Sequence, residues 1–164
     1  MEKVLGVDVG GVILVGERGA KDTVFQGDHL KSPSADYVFD ALRQLRERVF
    51  GERIHIVSKC GPNVQRKTTE WLDHHQFYDR AGISRKNVHF CLERAQKAPI
   101  CKKYGITTFI DDSLEVLGYL HEAGVPNLLL FNPDYRREGR FERYRPHVQL
   151  VSNWREVLSK LSAA

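Results

Sequence analysis

The sequence has no long apolar segment and few cysteines. Both features restrict the class of protein to which it can belong. None of its apolar runs approaches the roughly 18 residues that a membrane span needs, and its first residues lack the pattern of a signal peptide. The three cysteines, Cys60, Cys91 and Cys101, have no metal-ligand spacing. A Walker phosphate loop is also absent. We therefore expect a cytoplasmic protein with reduced thiols and no membrane association.

The composition is typical of a globular domain. Apolar residues make up 41% and charged residues 28% of the 164-residue chain, whose length suits one domain with a sizeable core. We therefore predict a single domain over residues 1–164. The net charge of +4 indicates an anionic partner only weakly.

Basic residues are concentrated between residues 134 and 145, where they alternate with aromatic residues. Such a segment can bind phosphates and stack on bases, which would make a nucleic acid or another polyanion a partner. Alternatively, the arginine stems cover aromatic rings on a solvated surface loop, and we favour this interpretation. The arginines are Arg136, Arg137, Arg140, Arg143 and Arg145.

Short apolar runs alternate with amphipathic stretches along the chain. This alternation implies parallel strands joined by right-handed helical crossovers. It predicts a three-layer α/β sandwich, Rossmann-like, with a mainly parallel sheet of about five strands. Residues 13–31 are rich in glycine and polar groups and read as a short flap, and Ser32-Pro33-Ser34 is expected to cap the helix that follows. The predicted strands are 4–7, 53–58, 88–91, 107–112 and 127–131.

Three carboxylates stand at the ends of apolar strands. Asp8 ends the first strand, and Asp111 and Asp112 end the fourth. A buried carboxylate needs a positive partner, and the carboxyl ends of the strands form the ligand-binding edge of an open α/β sheet. Each carboxylate could instead only cap a helix or turn. Three at one edge favour a hard cation with oxygen ligands, namely Mg²⁺.

Two further polar residues are expected at the same edge. Ser58 ends the second strand, and Lys97 opens a short helix. Together with the carboxylates they offer a nucleophile, a hydroxyl donor, a cation for phosphate charge and a metal site. Lys102 and Lys103 compete with Lys97, but they lie at the far end of the helix.

This ordered set resembles the motifs of the haloacid dehalogenase superfamily of phosphohydrolases over most of the chain. In that family an Asp-x-Asp motif follows the first strand, a Ser or Thr follows the next, and a Lys and an acidic pair come later. Here Asp8, Ser58, Lys97 and Asp111-Asp112 match these motifs in order.

The resemblance implies a Mg²⁺-dependent phosphohydrolase acting on a phosphorylated small molecule or a nucleotide. Asp8 would attack phosphorus and form an aspartyl-phosphate, while Ser58 and Lys97 would hold the transferring phosphoryl oxygens. Members without a large cap have open sites, which a neighbouring subunit of a homo-oligomer can cover. The implied Mg²⁺ ligands are Asp8, the backbone carbonyl of Gly10, and Asp112 or Asp111.

The sequence departs from the family pattern at Gly10, which replaces the second acidic residue of the first motif. In the family that residue protonates the leaving group and then activates water. The protein could be a slow phosphatase, its chemistry could be altered, or it could be a phosphate-binding pseudoenzyme. A substitute acid could also come from the flap, where Asp22 and Asp28 are candidates.

A second resemblance concerns the first strand and its glycines. The segment from Leu5 to Val12 is similar to the opening of sugar kinases with the actin-like ATPase fold, where an Asp-x-Gly-Gly turn contacts ATP phosphates. That fold normally needs a much longer chain, and it leaves Ser58 and Lys97 unexplained.

Overall fold

A six-stranded parallel sheet organises the part of the chain that the structure describes, residues 2–15, 27–131 and 136–163. The structure is a computed structural model. The strands are β1 (Leu5–Val7), β2 (Ile54–Lys59), β3 (Val88–Cys91), β4 (Thr108–Asp111), β5 (Asn127–Phe131) and β6 (Gln149–Val151). Their order across the sheet is β3-β2-β1-β4-β5-β6, and every neighbouring pair is parallel.

Helices connect the strands and begin or end at residues with clear local signals. Asn153 and Ser113 cap two of them through side-chain oxygens that accept backbone N–H groups. Gly105 ends another in the left-handed conformation. The α-helices are α1 (Val38–Leu45), α2 (Pro62–His74), α3 (Phe77–Ala81), α4 (Lys97–Tyr104), α5 (Leu114–Glu122) and α6 (Trp154–Ser162), and 3₁₀ helices cover His29–Lys31, Arg85–Asn87, Arg94–Gln96 and Gly139–His147.

Two hydrophobic cores lie on opposite faces of the sheet. Neighbouring residues of a strand face opposite sides, and in β5 Leu129 packs with α1, α2, α3 and α6, whereas Leu128 and Leu130 pack with α4 and α5. The predicted three-layer α/β sandwich with a mainly parallel sheet is therefore confirmed.

The sheet has one strand more than the sequence suggested. Strand β6 is three residues long, lies at an edge, and leaves Gln149 and Leu150 exposed. An edge strand with one buried residue carries little of the apolar pattern by which the central strands were recognised.

The predicted cap at Ser32-Pro33-Ser34 is wrong, because α1 begins only at Val38. The backbone of 33–35 pairs instead with the chain after β1: the Val15 N–H donates to the Pro33 carbonyl at 3.0 Å and the Ala35 N–H donates to the Ile13 carbonyl at 2.7 Å. Tyr37 then turns through the left-handed region at φ 67° before the helix starts.

Part of the predicted flap falls outside the described residues, namely 16–26, which include Asp22. The flap and the single-domain boundary therefore stay predictions, and so does the cytoplasmic location. Within the described ranges, no helix has the length and apolarity needed to cross a membrane.

A stack of three rings lies between β2, β3 and α4. His55 Nδ1 lies 3.0 Å from His89 Nε2, and both imidazoles stack on Tyr104. Burial, and then the neighbouring His89, lower the pKa of His55 to about 4. Burial, followed by Lys103, also lowers the pKa of His89. One ring nitrogen donates and the other accepts, and the lowered pKa values of the two rings favour the neutral form of both.

This pair predicts acid sensitivity of the fold. A histidine with a lowered folded-state pKa contributes stability that is full above its unfolded value near ~6.5 and is lost as the pH falls. Between pH 7.5 and pH 5 we expect the free energy of unfolding to fall by about 1–2 kcal/mol through this pair. Urea unfolding at the two pH values measures it.

Two variants separate this contribution from other titrating groups. His55→Phe should reduce the loss of unfolding free energy between the two pH values. His74→Gln, at an exposed position on α2, should leave that loss unchanged. An identical pH dependence in all three proteins would contradict the assignment.

Candidate functional site

The polar residues selected from the sequence meet at one edge of the sheet. Strands β1, β2 and β4 are parallel, and β1 lies between the other two, so their carboxyl ends point the same way. A cavity of about 240 Å³ opens there. Its lining includes every predicted site residue, Asp8, Gly10, Ser58, Lys97, Asp111 and Asp112.

Lys97 connects two of the carboxylates. It is the first residue of α4, and its side chain is only 2% exposed. Its Nζ lies 3.0 Å from Asp8 Oδ1 and 2.8 Å from Asp111 Oδ2. Lys102 and Lys103 are exposed at the other end of α4 and do not line the cavity.

The chain before α4 is held by a reciprocal cap. The Gln96 side-chain oxygen accepts the backbone N–H groups of Leu92 and Glu93 at 2.9 Å each, while the Glu93 side chain accepts a backbone N–H of the following turn. Such a capping box fixes the direction in which a helix starts. It therefore fixes where Lys97 enters the cavity.

The charges around Lys97 are unequal. Burial alone would lower the pKa of the Lys97 ammonium, but Asp111 and Asp8 together raise it above its usual value. Burial, followed by the Asp8 carboxylate, raises the pKa of Asp111 against the opposing effect of Lys97. One buried ammonium group thus pairs with two buried carboxylates, so the group of three side chains has more negative than positive charge.

Asp112 completes a cluster of three carboxylates. One oxygen from each of Asp8, Asp111 and Asp112 lies within 4.8 Å of the others. Oxygen donors at such spacing suit a hard divalent cation. A Mg²⁺ ion would also balance the excess negative charge, so these residues fit the predicted metal.

Gly11 makes room for Asp112. Its φ is +82°, and a Cβ built on it would lie 1.9 Å from Asp112 Oδ2. Both the backbone conformation and the close approach of the carboxylate require glycine at this position. Gly10 differs, because a Cβ there meets nothing within 4 Å.

Hydrogen bonds hold the turn that carries these glycines from two sides. The Val9 carbonyl accepts the N–H groups of Ile13 and Leu14 at 2.9 and 3.0 Å. From α6, the Trp154 indole N–H donates to the Val12 carbonyl at 2.8 Å. The last helix therefore holds the loop that follows Asp8.

The carboxyl group missing at position 10 is not replaced by a described residue of the cavity lining. The carboxylates among those residues are Asp8, Asp111 and Asp112. Asp28 instead caps the 3₁₀ helix that follows it, accepting the Leu30 N–H at 3.1 Å, and it does not line the cavity. Asp22 lies outside the described residues.

Several lining residues surround the predicted set. Arg94 and Lys59 add positive charge, and Arg94 pairs with Glu115 at 3.6 Å. Thr68 of α2, which the sequence analysis does not single out, is 1% exposed and lines the cavity. A hydroxyl on the apolar face of a helix was the available signal. Gly11 gave no such signal, because its constraint comes from Asp112.

Cys60 also lines the cavity, 4.0 Å from the Ser58 hydroxyl. Burial is the main cause that raises the pKa of its thiol. A reactive thiol needs a lowered pKa, so Cys60 is a packing residue. All three cysteines are free and buried, as expected for reduced thiols.

The basic segment packs beside α5. Tyr144 is buried, and the guanidinium groups of Arg140 and Arg143 lie over the rings of Phe141 and Tyr144, each at 4.9 Å. These contacts match the interpretation in which arginine stems cover aromatic rings. Polyanion binding through this segment stays a prediction, and Arg136 and Arg137 are exposed.

Glu138 connects that segment to the site. Its carboxylate accepts the backbone N–H groups of Leu114 and Glu115 at 2.6 and 3.1 Å, and a negative charge at a helix N-terminus is stabilising. Because α5 begins two residues after Asp112, Glu138 stabilises the chain segment that carries Asp111 and Asp112.

Three solved structures illustrate what this fold is similar to. A dehalogenase with an intermediate complex superposes with a TM-score of 0.71 at 11% identity, over 99% of this chain and 98% of its own. The D,D-heptose 1,7-bisphosphate phosphatase of Burkholderia thailandensis gives 0.61 at 14% identity, over 99% and 100%. A protein assigned as a β-phosphoglucomutase, from Thermotoga maritima, gives 0.64 at 10% identity, over 97% and 98%.

The chain therefore shares the fold of these three proteins, which agrees with the fold that the resemblance of its ordered motifs implied. The actin-like alternative is not its fold. No protein-family model and no curated protein match the sequence.

Gly11 and Gly10 form a matched pair for testing the site geometry. Gly11→Ala should lower the free energy of unfolding by at least about 1–2 kcal/mol, the cost of a left-handed non-glycine residue. It should also displace Asp112 and weaken the stabilisation by added Mg²⁺. Urea unfolding with and without Mg²⁺ measures both effects.

Gly10→Ala is the control, because its methyl group enters open space and should change stability little. Equal effects of the two substitutions would show that the approach of Asp112 to Gly11 is not a constraint.

Proposed function

We propose that the protein is a Mg²⁺-dependent phosphohydrolase that forms an aspartyl-phosphate at Asp8, with an impaired acid/base step. The buried Lys97 ammonium shared by Asp8 and Asp111 carries the proposal. A lysine held this way is poised to neutralise phosphoryl charge beside a carboxylate nucleophile. The substrate would be a phosphorylated small molecule or a nucleotide.

Asp8 is the nucleophile in this scheme. Its carboxylate lines the cavity with 11% of its side chain exposed, so a phosphoryl group can approach it. Lys97 orients that carboxylate through the 3.0 Å contact. Attack on phosphorus forms the Asp8–phosphate bond and breaks the bond to the leaving alkoxide.

Ser58 and Lys97 would hold the phosphoryl oxygens during the transfer. Ser58 is 5% exposed at the end of β2, and its hydroxyl is the neutral donor of the set. Phosphoryl transfer depends mainly on positioning and on neutralising the oxygens, and both groups sit on regular elements rather than on a free loop.

Asp112, Asp8 and the Gly10 carbonyl would hold Mg²⁺, with Asp111 oriented by Lys97 and by the Ser113 N–H at 3.0 Å. Bound there, the ion neutralises developing phosphoryl charge. Both oxygens of Asp111 accept hydrogen bonds, from Lys97 and from the Ser113 N–H, which supports Asp112 rather than Asp111 as the proposed metal ligand.

Because residue 10 is glycine, the proposed reaction lacks an acid/base group at two steps. The leaving alkoxide lacks a carboxylic acid to protonate it, and water lacks a carboxylate base when it attacks the aspartyl-phosphate. A positioned general acid/base typically contributes about 10²–10⁴-fold in rate. Substrates with leaving groups that need no proton should therefore react best in the first step.

The missing carboxyl group can be added back. Gly10→Asp places a side chain in open space at the cavity and should raise turnover of alkyl phosphate esters by at least about tenfold, toward the ~10²–10⁴-fold range. Asp8→Asn should abolish turnover. Mg²⁺-dependent phosphate release from a panel of esters measures these rates.

Gly10→Asn is the matched control, since it has nearly the same size and no acidic proton. A gain shared by the Asn and Asp variants would mean that shape rather than acid/base chemistry limits the rate. Turnover that survives Asp8→Asn would end the nucleophile assignment.

The scheme also predicts burst kinetics. With an aryl phosphate, whose leaving group needs no proton, the wild-type protein should release about one equivalent of phenol rapidly and then turn over slowly, because hydrolysis of the intermediate lacks its base. Stopped-flow absorbance measures the burst. Gly10→Asp should replace it with steady turnover, and a wild-type reaction without a burst would contradict slow hydrolysis as the limiting step.

A second candidate function is a catalytically weak protein that binds a phosphorylated or polyanionic partner. It is favoured by Gly10 and by Arg137, whose side chain is 86% exposed next to Glu138, the residue that accepts N–H groups at the start of α5. Absence of turnover in wild type and Gly10→Asp, together with retained Mg²⁺ binding, would support this candidate.

A further inference from the structure

A second cavity lies at the opposite edge of the sheet from the Asp8 site. It is about 420 Å³ in volume and is formed where β2 begins. Its walls come from the π-helical turn Arg46–Phe50 that continues α1, from the start of β2, and from the segment 82–87. The described lining residues carry three cationic side chains, Arg46, Arg53 and Lys86, against one acidic side chain, Glu52.

Arg46 has a buried side-chain nitrogen, Nε, that lacks a hydrogen-bond partner among the described residues. Because this nitrogen is shielded from solvent, it is out of reach of a ligand in the cavity, and any contact from Arg46 to a ligand must come from its terminal nitrogens. Arg46 also opens a π-helical turn, a local geometry that is frequent at functional sites.

Gly82 helps to place this arginine. Its φ is +74°, and a Cβ on it would lie 2.7 Å from Arg46 Cδ. The glycine ends α3 in the left-handed conformation and at the same time leaves space for the arginine stem. The position of Arg46 is thus set by the backbone on which it lies.

The positive charges of this cavity are not cancelled by the protein. Within the described ranges, neither Arg46 nor Lys86 forms an ion pair. Arg53 uses its Nε to donate to the Lys3 carbonyl at 3.0 Å, which leaves its terminal nitrogens for another acceptor. Three cations and one carboxylate leave an excess of two positive charges, which matches a dianion.

We propose that this cavity binds the phosphate group of a small molecule, at a site separate from the Asp8 cavity. Arginine donors arranged around a cavity suit phosphate oxygens, and charge-assisted hydrogen bonds of this kind are stronger than neutral ones. The proposal does not depend on the reaction at Asp8, because none of its three cationic residues lines that cavity.

Inorganic phosphate is the probe, titrated into ¹⁵N-labelled protein in Mg²⁺-free buffer. Amide shifts should move at 51–54 and 82–87, independently of any shifts at 8–11 and 58–60 that report the other site. Arg46→Gln and Lys86→Gln should each weaken binding about tenfold or more, since each removes a charged hydrogen bond.

Arg48→Gln is the matched control, because Arg48 lies on the same turn, is exposed and does not line the cavity. Its phosphate affinity should stay within about twofold of wild type. Arg46→Lys keeps the charge and should bind phosphate more tightly than Arg46→Gln, which distinguishes loss of binding from loss of fold.

Three results would overturn the proposal. One is shifts confined to the Asp8 cavity, and another is equal weakening by Arg46→Gln and Arg48→Gln. The third is binding of succinate at 51–54 and 82–87 with no binding of phosphate there, which would assign the cavity to carboxylates.

Discussion

The shared ammonium of Lys97 is the interaction on which the candidate site depends. Asp8 directly follows β1 and Asp111 ends β4, and these two buried carboxylates would repel each other strongly without a cation between them. The lysine, almost fully buried and within 3.0 Å of both, makes that arrangement tolerable. Three features bring the side chains of Lys97, Asp8 and Asp111 together. They are the helix that begins at Lys97, the capping box before that helix, and the parallel pairing of β1 with β4.

Two adjacent glycines experience opposite constraints in this setting. Gly11 is required by its positive φ and by the oxygen of Asp112 above it, whereas Gly10 is free to carry a side chain. Gly10 is therefore not a packing requirement of the fold. Its lack of a carboxyl group is a chemical property of the site, and the fold leaves open the space in which a larger residue would stand.

Much of this architecture could be predicted from local signals. The bounds of β3 and β5 agree with their apolar runs, and Asp8, Ser58, Lys97, Asp111 and Asp112 were placed at the correct edge, because parallel strands bring their carboxyl ends together. The start of α1 could not be predicted, since Ser34 and its neighbours pair with residues after β1. Strand β6 was missed because it buries one residue only. The constraint on Gly11 depends on a contact with Asp112, about a hundred residues away in the sequence, which no local pattern contains.

The bond from the Trp154 indole to the Val12 carbonyl has a consequence for how the chain is made. The loop after Asp8 is synthesised before the indole group that holds it in place, which comes 142 residues later in the sequence. Strand β1 must likewise wait for β4 before it is flanked on both sides. During synthesis the candidate site therefore remains unassembled until the segments that carry Lys97, Asp111 and Trp154 have followed, so Asp8 spends that period exposed to solvent and metal ions without its buried lysine partner.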